Sequence, residues 1–159
     1  MRERISTILS FLLIASIIVA GFIFHASQDP TKTIDSLQDG QTVLVDIGSK
    51  VVKVQVSSTQ ASSERGLSNT ASLATDTGML FAFPRIGNYG FWMKDMNYPL
   101  DIIWLDSGYQ IVHIEHDLTP DTYPKEFGSE VLSQYVVELP AGFAAENAVS
   151  LGDHISIGQ

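Results

Sequence analysis

Residues 78–106 constrain the fold more than any other part of the chain. They hold three apolar runs, beginning at Gly78, Phe91 and Leu100, separated by Pro84, Gly87, Asn88, Gly90, Asn97 and Pro99. Short apolar runs punctuated by Gly, Pro and Asn predict consecutive buried strands joined by tight turns. Both tryptophans, Trp92 and Trp104, fall in this stretch, together with Phe81, Phe83 and Phe91. Aromatic side chains bury large areas, so the core is expected to form around them.

The flanking chain extends the same pattern. Residues 42–47 and 50–57 alternate apolar with polar around Gly48-Ser49, the mark of a hairpin. Ser58 or Thr59 is placed to cap a short helix over residues 60–65, and Gly66 to end it. Asp106-Ser107-Gly108 turns into a strand over residues 109–116, and further strands are expected over 134–139 and 154–157. A second short helix is expected over residues 140–146, entered through Pro140. Residues 117–130 lose periodicity and carry Pro120, Pro124 and Gly128, which predicts a long surface loop. Residues 42–159 thus read as a mainly β (α+β) domain with two short helices. Its strands are expected to pair mostly antiparallel, as a compact barrel-like or sandwich structure.

Ahead of the domain, residues 5–24 contain no charged side chain and follow Arg2 and Arg4. A helix of that length spans ~30 Å, the hydrocarbon thickness of a bilayer, and this one shows no polar face. Cleavage by signal peptidase needs small residues at −3 and −1. Cutting at Val19-Ala20-Gly21 would leave Phe22-Ile23-Phe24 on the mature end, and cutting after Ala26 places Phe24 at −3. Residues 1–26 therefore read as a membrane anchor, with a signal sequence as the alternative. The two arginines would stay cytoplasmic and the domain face outward. Residues 27–41 are polar and turn-rich, and read as a flexible linker.

Composition removes several functions. The formal net charge of −9 disfavours binding to nucleic-acid phosphates. The chain has no cysteine, which excludes disulfides, thiolate nucleophiles and thiolate-held metals. His113 and Glu115 share a strand face and His116 lies on the other, too few ligands for zinc. No metal or other cofactor is expected. No serine stands in a Gly-x-Ser-x-Gly turn, and no phosphate-cradling glycine loop is present.

The remaining chemistry is a set of polar and aromatic residues near the central stretch: Arg65, Trp92, Lys94, Asp101 and Glu138, with Tyr123 in the long loop. Alternation over residues 89–94 sets Trp92 and Lys94 opposite Tyr89, Phe91 and Met93, where a flat ring beside a cation lines either the edge of the core or a ligand groove. Asp101 and Glu138 are the candidate catalytic carboxylates, since a pair of acids flanking one bond is the requirement of glycoside hydrolysis. Asp101 shares its strand face with Ile103 and Leu105, so it is expected to be buried and paired. The expected partners are amides of the turn at residues 95–98, or Arg65 and Lys94.

Several of these segments resemble the family called domain of unknown function 192. The resemblance rests on Gly78-Met79-Leu80-Phe81, Phe91-Trp92-Met93-Lys94 and Pro99-Leu100-Asp101-Ile102-Ile103. Glu64-Arg65-Gly66-Leu67, Tyr135-Val136-Val137-Glu138-Leu139, Ala141-Gly142 and Gly152-Asp153 follow in the family's order, and the whole covers residues 55–157. Ser68 and Thr70 stand where the family often has Met and Arg, and Ala148 where it has Gly. The resemblance implies a small β-rich domain, commonly exported or membrane-tethered, and implies no catalytic residue. The leading expectation is an extracytoplasmic, membrane-anchored binding or accessory module for a cell-envelope glycan or peptide. Its ligand contacts would be Arg65, Trp92, Lys94 and Tyr123. A small envelope hydrolase using Asp101 and Glu138, or a protein-interaction module of a membrane complex, are the alternatives.

Overall fold

The computed structural model describes residues 37–157, so the segment at residues 5–24 lies outside the described residues. No helix among the described residues is long and apolar enough to cross a membrane.

Seven strands form one sheet: β1 (Thr42–Ile47), β2 (Lys50–Ser57), β3 (Thr77–Asn88), β4 (Leu100–Leu105), β5 (Ile111–Leu118), β6 (Leu132–Pro140) and β7 (Ser156–Ile157). Their order across the sheet is β5-β4-β6-β3-β2-β1-β7. The hairpin expected around Gly48-Ser49 is present, with Ile47 opposite Lys50. Every pair is antiparallel except β2–β3, where Val54 lies beside Gly78 and Val56 beside Leu80 in parallel register. A parallel pair needs a long crossover to bring the chain back. Helix α1 (Gln60–Arg65) and residues 66–76 supply it.

The sheet is single, which corrects the sandwich expectation. Its margins meet at one end, where the β5 entry pairs with the chain leading into β7. Gln110 bridges His154, the Ile111 amide donates to the Asp153 carbonyl at 2.7 Å, and the Ile155 amide donates to the Tyr109 carbonyl at 3.1 Å. Among the described residues no other strand pairs with the outer edge of β5.

Period-two alternation divides the buried side chains into two cores. Ile103 and Leu105 join Val45, Val54, Leu80, Val137 and Leu139 on the inner face. Leu100, Ile102 and Trp104 join Met79, Phe81 and Val136 on the outer face, which loop residues Leu67, Met93 and Phe127 roof over. Trp104 is fully buried and donates its Nε1 proton to the Tyr89 carbonyl at 2.8 Å. Its ring lies against Gly128 (φ +71°), where a Cβ would stand 2.3 Å from ring carbons. Only glycine fits that contact and that backbone conformation.

Four local expectations are corrected. The second apolar run forms no strand: the Phe91 amide and carbonyl are taken up by Phe127 at 2.9 and 2.8 Å in one isolated bridge. The first run instead continues to Asn88, its register against β6 shifting between Ala82 and Gly87, where Pro84 has no amide to pair. Helix α2 (Phe143–Glu146) is entered through Gly142 at φ +83°, because Pro140 still belongs to β6. The end of the expected linker belongs to the domain: Leu37, 8% exposed, sits in the inner core.

Asp39 reinforces that attachment from just beyond Leu37. Its carboxylate accepts the Ser58 amide at 2.8 Å and the Ser62 hydroxyl at 2.6 Å, at the start of α1. The Ser58 amide foremost, then the Ser62 hydroxyl, hold the Asp39 carboxyl below its ordinary value. Thr59 is the N-cap, in a reciprocal capping box with Ser62. Ala148 adopts φ +54°, the left-handed region that favours the glycine expected from the family resemblance.

Candidate functional site

A cleft of about 1100 Å³ lies between α1 with the loop after it and residues 89–96. One wall carries Arg65 and Leu67, and the other Tyr89, Phe91, Trp92 and Lys94. Its floor is the outer face of the sheet, where the buried Phe81 of β3 and Glu138 of β6 line it.

The aromatic side of the cleft is fixed by ring contacts. Phe83 stacks on Tyr89 with centroids 3.5 Å apart and planes within 7°. Phe91 meets Phe81 edge to face at 4.9 Å and Trp104 at 5.8 Å. Such pairs add ~0.5–1.5 kcal/mol beyond area burial, so this wall is part of the outer core. Residues 68–70 close one end of the cleft. The Asn69 amide donates to the Asp95 carbonyl at 2.8 Å, the Ser68 hydroxyl to the Lys94 carbonyl at 2.9 Å, and the Asn97 side chain to the Thr70 carbonyl at 2.8 Å.

The side chains separate into those the fold has sealed and those it presents. Trp92 is 52% exposed and touches Tyr123, also exposed, edge to face at 6.1 Å. Arg65 and Lys94 are exposed and enter no ion pair among the described residues. Glu138 is the opposite case. It is 5% exposed, its Oε2 is buried without a hydrogen-bond partner, and its strand neighbours on that face are Met79 and Ile102. Burial alone pushes the Glu138 carboxyl up to about 8, so it is predominantly neutral at pH 7. An unpartnered acid with a shifted pKa on the floor of a cleft has the physical signature of a site.

Asp101 is not part of this site. In the β4–β6 register Ile102 opposes Glu138 and Asp101 opposes Leu139. Directly opposed residues share a face, so the two carboxylates point to opposite sides of one sheet. Asp101 is 0% exposed, and three backbone amides hold it. Its Oδ1 accepts from Asp117 at 2.9 Å and Gly142 at 3.2 Å, and its Oδ2 from Ala144 at 2.8 Å. The expectation of a buried, paired carboxylate therefore holds. Its partners are not the turn at residues 95–98, nor Arg65 or Lys94. A substrate bond cannot lie between Asp101 and Glu138, and the carboxylate-pair reading loses its geometry.

His113 and Glu115 form a pair at 3.1 Å on β5, and no cluster of three or more metal-binding side chains exists among the described residues. Phe83 and Tyr89, which line the cleft as a stacked pair, carried no sequence signal beyond being aromatic.

The arrangement can be set beside known proteins. A family model described as DUF192, an uncharacterised ACR, matches residues 43–157, most of the chain. The chain belongs to the DUF192 family. No curated protein matches it. Among solved structures, the DUF192 domain resembles a candidate transcription regulator from Sinorhizobium meliloti 1021. The TM-score is 0.71 with 26% identity, over 77% of this chain and 98% of that one. It also resembles a protein of unknown function from Novosphingobium aromaticivorans DSM 12444, with a TM-score of 0.64 and 24% identity over 82% of this chain and 94% of that one. The latter likeness is one of fold alone.

Proposed function

We propose that this DUF192 domain is a non-catalytic binding module, tethered outside the cytoplasmic membrane by residues 5–24. It takes a glycan or peptide fragment of the cell envelope into the cleft between α1 and residues 89–96. One observation carries the reading: a single cleft gathers Arg65, Trp92, Lys94 and the unpartnered Glu138, while the other buried carboxylate is consumed in fixing the fold on the opposite face. A half-exposed indole in a cleft with exposed cations suits stacking on a sugar or peptide plane, and Tyr123 extends the aromatic surface beyond the rim. Transcription regulation, the role in the name of the Sinorhizobium meliloti neighbour, is disfavoured here where it would need contact with nucleic-acid phosphates, given the net charge of −9.

Tryptophan fluorescence tests the cleft. The chain has two tryptophans, and Trp104 is sealed in the core, so a ligand-induced change reports on Trp92. Titration with soluble oligosaccharides and short peptides is expected to give a saturable change, and calorimetry, which needs no tryptophan, is expected to show that binding lost in Trp92→Ala while the variant stays folded. Trp92 is half exposed, so its truncation should cost well below the ~3–5 kcal/mol of a buried aromatic. Saturable binding that survives in Trp92→Ala places the ligand elsewhere and sinks this reading. The tether is tested separately: a full-length chain that washes off membranes at alkaline pH is not anchored.

A further inference from the structure

Glu138 is the one buried carboxyl among the described residues whose burial the fold does not explain. It is not a surface acid, since it is 5% exposed, and it does not act as the structural clamp that Asp101 does, since no hydrogen-bond donor among the described residues reaches its buried Oε2. Burying a carboxyl without a partner is costly, and a fold that only needed to fill this position would place an apolar side chain there. Its surroundings describe the missing partner. Phe81, Phe91, Tyr89 and Trp92 line the same cleft, and aromatic rings attract cations through their faces and repel anions. The charged groups facing the cleft are Glu64, Arg65, Lys94 and Asp95, two of each sign. All four are exposed and solvent-screened. They cancel, so an ionised Glu138 leaves the cleft with one uncompensated negative charge. The acidic chain as a whole favours the approach of a cation.

We propose that the floor of the cleft binds an organic cation, a primary ammonium or guanidinium on an apolar stem, with Glu138 as its counter-ion. A basic peptide side chain or an amino group on an envelope fragment has this chemistry. The inference rests on the binding reading of the cleft given above and specifies its ligand. On binding, the O–H bond of the Glu138 carboxyl breaks, its proton passes to the buffer, and the carboxylate pairs with the already protonated ligand. The raised pKa sets the cost of this displacement: at pH 7 it lies about one unit above ambient, so proton release weakens binding by ~10-fold relative to the ionised acid.

Hexylammonium, hexanol and hexanoate share a stem and differ in charge, and serve as probes by calorimetry and Trp92 fluorescence. Hexylammonium is expected to bind at least ~10-fold more tightly than hexanol, and hexanoate more weakly still. Its affinity should rise with pH by up to ~10-fold per unit below pH 8 and level off above it, because only the ionised acid pairs with the cation. Calorimetry at pH 7 in buffers of different ionisation enthalpy should register release of close to one proton. Glu138→Gln, which keeps size and loses charge, should erase the preference for the ammonium. Hexanol or hexanoate binding as tightly as hexylammonium, a pH-independent affinity in the wild type, or no saturable hexylammonium binding at all overturns the proposal. Oligosaccharides or peptides that bind in a Trp92-dependent way without competition from hexylammonium leave the binding reading standing and remove only the cation. If no probe of any class binds, both fall.

Discussion

The Asp101 carboxylate on β4 accepts the Ala144 amide at 2.8 Å, from a residue 43 positions further along the chain. With the Gly142 and Asp117 amides on its other oxygen, one side chain satisfies the start of α2 and the end of β5 together. A helix of four residues cannot sustain itself in water, so α2 depends on this strand-borne acceptor.

Removal of that acceptor should be felt globally. Asp101→Ala strands three backbone donors, the Ala144 amide buried and those of Asp117 and Gly142 part-buried, at up to ~1–3 kcal/mol each. The expected loss is ~3–5 kcal/mol, lowering the melting temperature by ~10 °C or more. Asp101→Asn should also destabilise, because its amide nitrogen must face one of the same donors. A melt of Asp101→Ala that overlays wild type shows that these bonds do not carry the fold.

Glu138 makes a prediction in pH. In the folded protein its carboxyl keeps a proton up to about pH 8, against an ordinary value of 4.5. Between those limits the native state holds a proton that the unfolded chain has released. Stability therefore falls as pH rises through that window, by up to ~1.4 kcal/mol per unit. Glu138→Met removes the group, so its advantage in melting temperature over wild type should widen from pH 5 to pH 8. Parallel profiles for the two proteins exclude a raised pKa at this site.

Truncation probes the domain boundary. A chain beginning at Thr42 loses Leu37 from the inner core and Asp39 from the start of α1. Loss of one buried leucine alone costs ~2–5 kcal/mol. The Thr42 chain should melt well below one beginning at Thr33, where the second compact unit starts. Equal melting temperatures would return Leu37 and Asp39 to the linker.

Ala148 offers a stabilising change. Its φ of +54° costs an L-residue ~1–2 kcal/mol, part of which glycine recovers against its larger unfolded-state entropy. Ala148→Gly should raise the melting temperature by a few degrees, with no effect on the cleft. A fall instead means that the Ala148 methyl group contributes packing worth more than the strain.

Much of the fold was legible where the signal is local. The β1–β2 hairpin, the Thr59 cap of α1 and the two faces of β4 follow from neighbours in sequence, and all three are present. What escaped depends on partners far away in the chain. Asp101 invites pairing with the turn before it, yet its donors are at 117, 142 and 144. Leu37 carries no period by itself and declares its burial only once β1 and β2 have formed the inner face. Residues 91–96 look like a strand because Phe91 and Met93 alternate with Trp92 and Lys94, but a strand also needs an edge to pair with, and β3 and β4 are both flanked already. Of the site, Arg65, Trp92, Lys94 and Glu138 were identifiable by residue type. That Glu138 lies on the cleft side of the sheet and Asp101 on the other follows from the register between β4 and β6, which no local pattern specifies.

Residues 153–157 join both margins of the sheet, bonding the β5 entry on one side and β1 on the other. They come after every other strand among the described residues, so a ribosome delivers them after those strands. Until then β1 and the start of β5 each present an unsatisfied backbone edge, however well the strands between them have paired. The order of synthesis is thus built against early closure: a nascent chain can assemble the middle of the sheet as it emerges, but the two margins are sewn together only after the final strand has been made.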